Sequence, residues 1–423
     1  MTTESKSVYL LTGDIGGTNS RMSLYDVRHS EPKVVKYYRN AEHLPEERLK
    51  DADAFSMHIV VPFLKHCWEQ QADDGLVLAP LEETEIVACV ATAGVVTDNA
   101  AKLTNLGGLL IDGNAIQADT KNAYLKHVKR VFVINDFVAQ GYGCLTLKAS
   151  EVRHLNGPNV KPETLTTGPK VCVGAGTGLG ECYMTQTNNQ GDYTCYPSEG
   201  GHVEYAPRDD TEVSLFRYLS NKFKSKHRIS VERVVSGIGL ANVYEFLAQA
   251  NPKEVDKAVH EEFTKAGDEQ GKVVSMNAKP GTLCQQAMSI MMSAYGCEVG
   301  SAAIKWIPIG GLFVTGGLTP KNIQYIDGKD TEFMKSYLNK GRVATVLDRI
   351  PLYAVMVEDL GVRGAHKAAM MEYERLYNTP HVHAKKSLVG QELQDYLWTA
   401  LAVTAVVGFL AGNVCSKSFL KMK

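Results

Sequence analysis

The chain contains 423 residues, 44% of them hydrophobic and 22% charged, which is enough apolar material to build the cores of two domains. Its net charge of -2 provides no basic surface field and argues against nucleic-acid binding. The nine cysteines form no Cys-x-x-Cys pair, which argues against a zinc ribbon or a dithiol redox motif, and their odd, unpatterned number is typical of a reducing compartment. The polar residues 1–7 contain no apolar signal core, so we expect a cytoplasmic protein.

A glycine-rich hairpin is predicted near the start of the chain, where residues 10–21 read LLTGDIGGTNSR. Apolar runs on both sides of this stretch predict two strands. Gly16 and Gly17 permit a sharp bend that exposes backbone N–H groups to a bulky anion, and Asp14 is suited to hold Mg²⁺ through water. No Gly-Lys-Ser/Thr follows, so this is not a Walker loop. Taken alone, such a pair of glycines is more often only a turn.

Strands and helices alternate through the rest of the first half. The apolar spacing predicts strands at 34–38, 85–93 and 131–134. It predicts helices at 44–71 and 119–127. A loop that contains Asn105 follows the second of these strands. The third strand ends at Asn135-Asp136 and is followed by another helix. This order indicates a mixed sheet with helical cover, and therefore an α/β fold.

The second half of the chain repeats this opening. A second glycine turn at 174–180, GAGTGLG, joins two strands within 171–184, and two such turns suggest two related lobes that clamp one phosphate chain. The remaining predictions are strands at 193–196, 312–315 and 351–357 and helices at 211–222, 239–250, within 277–305 and at 362–377. We expect the last strand and helix to return to the first lobe.

Asp136 is the first candidate for a catalytic residue. It stands just beyond the end of a buried strand, where side chains of α/β folds reach a cleft. A carboxylate there can accept the proton of a substrate hydroxyl as phosphoryl transfer begins. The alternative is that Asn135-Asp136 only caps the next helix.

A polar loop in the second half supplies candidates for substrate binding. Glu199 and His202 flank two glycines, a spacing that suits either metal ligation or two groups that grip a polyol. No third ligand of matching style is near them in sequence, which argues against zinc. Glu232 is, alone, an ordinary surface charge. Gly316 and Gly317 follow a strand, where they would let a flat ring approach the backbone or would simply form a turn.

As an ordered set, these motifs resemble those of the bacterial-type glucokinases. The shared motifs are GDIGGTN at 13–19, IND at 134–136, GAGTGLG at 174–180, EGGH at 199–202, Glu232 before Ser236-Gly237, and TGG at 315–317. The resemblance extends over residues 8–370. It implies a two-lobed actin-like ATPase fold of the ribonuclease H-like class with mixed sheets, and ATP-dependent phosphorylation of glucose to glucose 6-phosphate.

The resemblance also implies a role for each matching position. Asp136 corresponds to the general base for the sugar 6-hydroxyl. Sugar contacts correspond to Asn105, Asn135, Asp136, Glu199, His202 and Glu232. ATP contacts correspond to Gly13, Asp14, Gly16, Gly17, Thr18, Asn19, Gly176, Thr177, Gly178, Gly316 and Gly317, with Asp14 as the candidate for Mg²⁺ through water. Such a site of fixed donors and acceptors can reject an analogue that lacks one hydroxyl by up to about 10⁴-fold.

The C-terminal part of the chain lies outside the family pattern. We expect a small lobe at 8–146 with a return segment at 351–372, and a large lobe at 147–350. A polar linker at 373–395 and an apolar segment at 396–416 follow. The apolar segment is free of charged residues, and at about 1.5 Å per residue it spans about 30 Å, the thickness of a bilayer core. Tyr396 and Trp398 at one end suit a tail anchor in an intracellular membrane, with the kinase facing the cytosol. The alternative is a helix on the kinase surface or in a homodimer interface.

Three stretches depart from the family pattern. Residues 92–96 lack a proline that is common there, Ser198 replaces a usual glycine, and 252–279 is expanded and charged. These departures bear on sugar preference and regulation more than on the reaction class.

Three alternative functions are compatible with a protein of this kind. A kinase of another hexose, as in the repressor/open-reading-frame/kinase family, usually carries a zinc-binding cysteine cluster, and none follows His202. A sugar sensor would be expected to carry a DNA-binding helix-turn-helix before the first hairpin, where only about seven residues stand. A degenerate structural member of the fold is disfavoured by Asp136 and the two glycine turns.

Overall fold

The computed structural model describes residues 6–70, 77–187, 192–225 and 227–377. Contacts between residues divide the chain into two units, Met1–Met370 and Met371–Lys423. The predicted apolar segment 396–416 lies outside the described residues. Among the helices that are described, none combines the length and apolar character needed to cross a bilayer.

The strands of the first unit follow the predicted alternation closely. In chain order they are β1 (Ser7–Ile15), β2 (Asn19–Asp26), β3 (Val34–Arg39), β4 (Thr84–Thr92), β5 (Val96–Thr97), β6 (Ala100–Leu103), β7 (Leu109–Asp112), β8 (Val128–Asn135), β9 (Val152–Asn156), β10 (Lys170–Ala175), β11 (Leu179–Gln186), β12 (Tyr193–Ser198), β13 (Leu312–Thr315) and β14 (Leu352–Val355).

The helices cover the sheets and connect their strands. In chain order they are α1 (Asn40–His43), α2 (Val61–Lys65), α3 (Gly113–Ala118), α4 (Asp136–Cys144), α5 (Asp210–Lys222), α6 (Gly237–Ala250), α7 (Lys257–Lys265), α8 (Gln270–Met276), α9 (Leu283–Trp306), α10 (Leu318–Lys321), α11 (Glu332–Leu338) and α12 (Leu360–Tyr377). Several begin at a side-chain cap, as where Ser236 Oγ accepts a hydrogen bond from Gly239 N at the start of α6.

Two mixed sheets share one topology. The first has the strand order β3-β2-β1-β4-β8, and the second has the order β12-β11-β10-β13-β14-β9. In each, three strands form an antiparallel meander and the next two run parallel to the first of them. Strand β9 adds an antiparallel edge to the second sheet. The predicted α/β class with mixed sheets is therefore confirmed, and the two glycine turns occupy equivalent places in it.

Helices α4 and α12 cross at glycines. A Cβ placed at Gly143 of α4 would lie 2.3 Å from the carbonyl oxygen of Leu360, and one placed at Gly364 of α12 would lie 1.6 Å from that of Ala139. No side chain fits at either position, so the two backbones are in direct contact. Each helix follows the fifth strand of its sheet, so this crossing joins the two halves of the first unit.

Each sheet has its own apolar core. One buried cluster contains Leu11, Ile59 and Val90 and fills the space around the first sheet. A larger one contains Val173, Met291 and Val314 and lies between the second sheet and helices α6, α9 and α11. Two separate cores agree with the prediction that the chain is long enough for two.

Four predictions of local structure were wrong. Residues 119–127 form turns and a short 3-10 helix at Leu125–His127 instead of a continuous helix. The predicted helix 44–71 is regular only beyond Phe55, as α2 flanked by π-helical turns. The stretch around Asn105, predicted to be a loop, contains the small sheet β5-β6-β7. Strand β14 belongs to the second sheet, so only the helix of the predicted return segment 351–372 packs against the first half.

Candidate functional site

The first glycine turn connects β1 to β2. Gly16 N donates a hydrogen bond to Asn19 O at 3.0 Å, and Gly17, Thr18 and Asn19 are exposed. Gly13, in contrast, is buried inside β1, where an added Cβ would lie 3.2 Å from Met22 Sδ. The exposed part of the turn is therefore shorter than the predicted set.

Asn40 holds this turn from behind, and sequence analysis did not identify it. Its side-chain Nδ2 donates to Gly16 O at 2.8 Å and to Gly17 O at 3.2 Å. Its backbone N–H donates to Thr18 O, and its Oδ1 accepts from Ser20 Oγ. Asn40 thus fixes the turn by four hydrogen bonds, three through its buried side-chain amide and one through its backbone N–H. Its side-chain bonds to Gly16 and Gly17 reach back 24 and 23 positions along the chain, so no local sequence pattern indicated them.

The second glycine turn connects β10 to β11 and is held by Glu232. Gly176 N donates to Gly178 O, and Gly176 O accepts from Gly237 N at the start of α6, both at 2.8 Å. Leu179 N donates to Glu232 Oε2 at 2.9 Å. A Cβ at Gly178 would lie 2.5 Å from the same oxygen, whereas one at Gly176 would meet nothing within 4 Å. A side chain at Gly178 would therefore displace the Glu232 carboxylate, whereas Gly176 lies beside open space.

Two further glycines of this motif accommodate an aromatic ring. Gly174 and Gly180 are cross-strand partners, and a Cβ at Gly180 would lie 2.1 Å from the ring of Phe137. One at Gly174 would lie 3.0 Å from it. Because Phe137 directly follows Asp136, this notch in the second sheet fixes the position of the first turn of α4.

Asn135 caps α4. Its Oδ1 accepts from Phe137 N at 2.9 Å and from Val138 N at 3.3 Å, while its Nδ2 donates to Gly94 O at 3.0 Å. The amide therefore ties the end of β8 to the segment after β4. It leaves one amide hydrogen for a further partner.

Asp136 is half-buried at the first position of α4. The pKa of its carboxyl is raised to about 6: burial is the largest cause, a hydrogen bond from Phe137 N opposes it, and the negative charges of Asp14 and Glu199 add to it. Asp14 belongs to β1, and Glu199 belongs to the loop after β12. Residues from both halves of the unit therefore act on the charge of Asp136.

Glu199, His202 and Glu232 form a chain of charged contacts. His202 Nε2 lies 3.7 Å from Glu199 Oε2, and His202 Nδ1 lies 3.8 Å from Glu232 Oε1. The imidazole and the Glu199 carboxylate are about half exposed, and Glu232 is more enclosed. These three predicted residues are brought together across more than 30 positions of sequence.

The loop that carries Glu199 and His202 lies directly on β11. A Cβ at Gly201 would lie 1.9 Å from Leu179 O, and one at Gly200 would lie 2.3 Å from Glu181 Oε2. Gly200 N donates to Ser198 Oγ at 2.9 Å, so the unusual serine braces the loop. We refer to residues 198–203, which contain two of the predicted sugar contacts, as the sugar loop.

The glycines after β13 differ from one another. Gly316 has a positive φ of 81°, and its Cβ would lie 2.3 Å from Ala175 O, so a side chain is excluded there. Gly317 lies near Glu358 and Lys321, which form an ion pair of 3.0 Å. These glycines therefore lie next to the strand that leads into the second turn.

Asp14 and Asn105 complete the predicted set. Burial raises the pKa of the Asp14 carboxyl, and the charge of Arg21 opposes the shift. Asn105 lies in a 3-10 turn, Thr104–Leu106, and its side chain is not among those described. In the described ranges, no three His, Cys, Asp or Glu side chains are placed to hold a metal ion together.

Comparison with known proteins decides the family. The family model described as Glucokinase matches residues 11–372. The chain belongs to the glucokinase family. A glucokinase from Synechocystis sp. is 35% identical over 370 residues, which cover 85% of this chain and 97% of that protein. The family named by the motif resemblance is thus confirmed.

Solved glucokinases share the fold. The structure of the Balamuthia mandrillaris glucokinase in complex with glucose matches 88% of this chain and 95% of its own, with a TM-score of 0.62 and 18% identity. A glucokinase from an Antarctic psychrotroph matches 85% of this chain and 98% of its own, with a TM-score of 0.57 and 22% identity. At these identities the likeness concerns the fold alone.

Proposed function

We propose that the chain transfers the terminal phosphoryl group of ATP to the 6-hydroxyl of glucose, giving glucose 6-phosphate and ADP. The observation that carries this proposal is the position of Asp136. Its carboxyl lies at the end of β8, within the electrostatic reach of Asp14 beside one glycine turn and of Glu199 in the sugar loop. Transfer of a phosphoryl group to a sugar hydroxyl requires a proton acceptor between the phosphate-binding turn and the polyol site.

In this proposal Asp136 acts as the general base. With a pKa of about 6, the carboxyl is ionised at neutral pH yet more basic than an ordinary aspartate. It accepts the proton of the 6-hydroxyl as the oxygen attacks phosphorus, and an acceptor tuned towards neutral pH is efficient in this role. Asn135 and the Phe137 notch hold it in place.

The sugar loop and Glu232 bind the other hydroxyls. Carboxylate oxygens of Glu199 and Glu232 accept hydrogen bonds, and His202 between them can donate or accept. Glu232 also accepts from Leu179 N, so the same carboxylate links the sugar site to the second glycine turn. The free amide hydrogen of Asn135 and the turn at Asn105 provide further contacts in this proposal.

The glycine turns hold the phosphates of ATP, and Gly316 and Gly317 receive the adenosine. The exposed backbone at Gly16–Asn19 and the open space beside Gly176 suit an anion. Asp14 would hold Mg²⁺ through water, and a divalent cation fits there because the buried Asp14 carboxylate lies near enough to Asp136 for its negative charge to raise the pKa of that group. When bound, the ion offsets negative charge on the phosphates.

Coupled turnover with ATP tests the proposed reaction. Glucose, mannose, fructose and N-acetylglucosamine are compared at equal concentration, with the direct detection of hexose phosphate as a check. We expect glucose to give the highest kcat/KM. If another hexose gave a higher kcat/KM, the protein would be a kinase of that hexose. If it bound sugar but phosphorylated none, it would be a sugar sensor.

We also propose the division into lobes at 8–146 and 147–350, with the cleft between them. The sheets with separate cores support this division. Strand β14 stays with the larger lobe, and α12 reaches α4 of the smaller one through the glycine crossing.

For the apolar segment 396–416 we retain the tail anchor as a proposal, supported by its length, its lack of charge and its flanking aromatics. A fluorescent fusion of about the last 35 residues, enough for a bilayer span and its flanks, should localise to an intracellular membrane and resist carbonate extraction. A diffuse, extractable fusion would contradict the anchor. The alternative, a homodimer interface, would instead lower the mass of the particle when the segment is deleted.

A further inference from the structure

Two buried carboxyl groups lie behind the sugar loop, among residues that the proposed mechanism does not use. Glu181 on β11 is 4% exposed and Glu298 on α9 is 8% exposed. Each has an Oε1 atom that lacks a hydrogen-bond partner. Burial raises the pKa of Glu181, and both the charge of Glu298 and a side-chain hydrogen bond between the two carboxyl groups add to this rise, while the same hydrogen bond lowers the pKa of Glu298. Buried acidic groups are rarely retained without a partner of opposite charge, and this arrangement therefore requires an explanation.

Glu181 supports the sugar loop by contact. Its Oε2 occupies the space that a side chain at Gly200 would need, at 2.3 Å from the Cβ position. Two residues earlier on the same strand, Leu179 packs its carbonyl oxygen against Gly201 and donates its N–H to Glu232. The stretch 179–181 of β11 is thus in contact with the sugar loop and with Glu232.

The surrounding charges do not balance two carboxylates. Lys305 on α9 places its Nζ 3.9 Å from Glu298 Oε1, and half of its side chain is exposed. The more distant charge of Lys340 lowers the pKa of Glu298, and the Cys172 thiol raises that of Glu181. Burial is the largest effect on both groups, raising the pKa of Glu298 and bringing that of Glu181 to about 8. Two interacting buried carboxyl groups, with only the half-exposed Lys305 and the charge of Lys340 to offset them, cannot both ionise at neutral pH without a large cost.

A cavity gives Glu298, and through it the pair, access to water. Its volume is about 240 Å³, and Glu298 and Lys305 line it. Val203 at the end of the sugar loop and Val231 next to Glu232 also line it. The other charged or titratable lining residues are Glu204, Tyr205, Arg208 and Cys297. Arg208 is engaged by Glu212, so it does not neutralise the pair. A polar cavity of this size holds water, through which a proton can exchange.

We propose that Glu181 and Glu298 share one proton and that this singly protonated pair positions the sugar loop for glucose binding. The inference deepens the proposed function and rests on it. Glu181 is a positioning residue, because it acts through Gly200 and the loop and does not touch the sugar. Loss of the shared proton places two negative charges in contact behind the loop. Their repulsion displaces the loop and weakens glucose binding, while Asp136 and the phosphate turns remain in place.

The test compares wild type with Glu181→Gln and Glu298→Gln across pH. Glutamine preserves the shape of the side chain but carries no charge, so either variant keeps the pair from becoming doubly negative. For wild type we expect the KM for glucose to rise at least about threefold between about pH 7 and about pH 9, with kcat nearly constant, which is the pattern of lost binding without lost chemistry. In Glu181→Gln the KM should stay within about twofold over this range. Glu261→Gln on α7, an exposed carboxylate paired with Lys265, is the matched control and should behave as wild type.

Glu181→Ala separates positioning from simple stability. It removes the support behind Gly200, so the KM for glucose should be raised at every pH while the urea midpoint of Glu181→Gln stays close to wild type. A wild-type KM that does not change with pH, or a rise that persists in both glutamine variants, overturns the inference. If wild type turns over no glucose, the proposed function fails and the inference fails with it; if turnover is normal and only the pH effect is absent, the inference alone fails.

Discussion

Asp136 must satisfy two opposing demands. Burial and the charges of two other carboxylates favour its neutral form. As the proposed base, however, it must be ionised before the sugar hydroxyl can lose its proton. The pKa of about 6 is a compromise between these demands, because it leaves the group ionised at neutral pH and still basic.

This compromise predicts the acidic limb of the pH profile. As the pH falls through about 6, Asp136 gains a proton and can no longer act as a base, so kcat/KM for glucose should fall about tenfold per pH unit below that point. Direct chromatographic measurement of glucose 6-phosphate avoids the pH dependence of coupling enzymes. If kcat/KM instead fell only near the ordinary aspartate pKa of about 4, the residue whose protonation limits activity would not be Asp136.

At the residue level, sequence reasoning named Glu199, His202 and Glu232, which the structure brings together, and missed residues that support the neighbouring backbone. Asp136, His202 and the turn glycines stand out because their types and spacing are chemically specific. Asn40 and Glu181 act on backbone segments that are distant in sequence, so their roles depend on packing that no local pattern encodes.

At the level of elements, the crossing of α4 and α12 is the closest helix contact that bears on the site. Asp136 begins α4, and Gly364 of α12 touches the backbone of the same helix at Ala139. The spacing of α12 predicted its extent well, but nothing in the sequence indicated which glycine stands at the crossing.

Gly364→Ala should therefore destabilise the protein by about 1–3 kcal/mol, the usual cost of overpacking, and lower kcat by shifting α4. The free energy of unfolding is measured in urea with the variant Gly361→Ala as control. At Gly361 the added Cβ would meet its nearest neighbour at 3.6 Å, an ordinary contact, and alanine favours a helix over glycine. Equal stability of the two variants would contradict a direct backbone contact at Gly364.

The element that sequence analysis mispredicted most clearly is 119–127. Asp119 Oδ1 accepts from the N–H groups of Lys121 and Asn122, and Asn122 Oδ1 accepts from those of Tyr124 and Leu125. These side-chain bonds replace the helical ones and produce successive turns, as Asp and Asn commonly do. Apolar periodicity alone does not reveal this competition.

At the scale of the whole molecule, the two sheets have corresponding strand orders and place corresponding turns at the cleft. The alternation of strands and the repeat of the glycine motif predicted this arrangement from sequence. The place of β14 was not predictable in the same way, because a short apolar strand fits either sheet until its partners are known. The first unit therefore contains the same strand arrangement twice, with a different acidic residue at each glycine turn. Asp14 lies beside the first turn, and Glu232 accepts a hydrogen bond from the second at Leu179 N.

We propose that this protein phosphorylates glucose with Asp136 as the base, and the variant Asp136→Asn separates that role from glucose binding. Asparagine keeps the shape of the side chain and its place on α4 but cannot accept the proton. Turnover of glucose with ATP should fall by about 10²–10⁴-fold, while the dissociation constant of glucose, measured by calorimetry on the same preparation, should change little. Near-normal turnover by the folded variant would contradict the account.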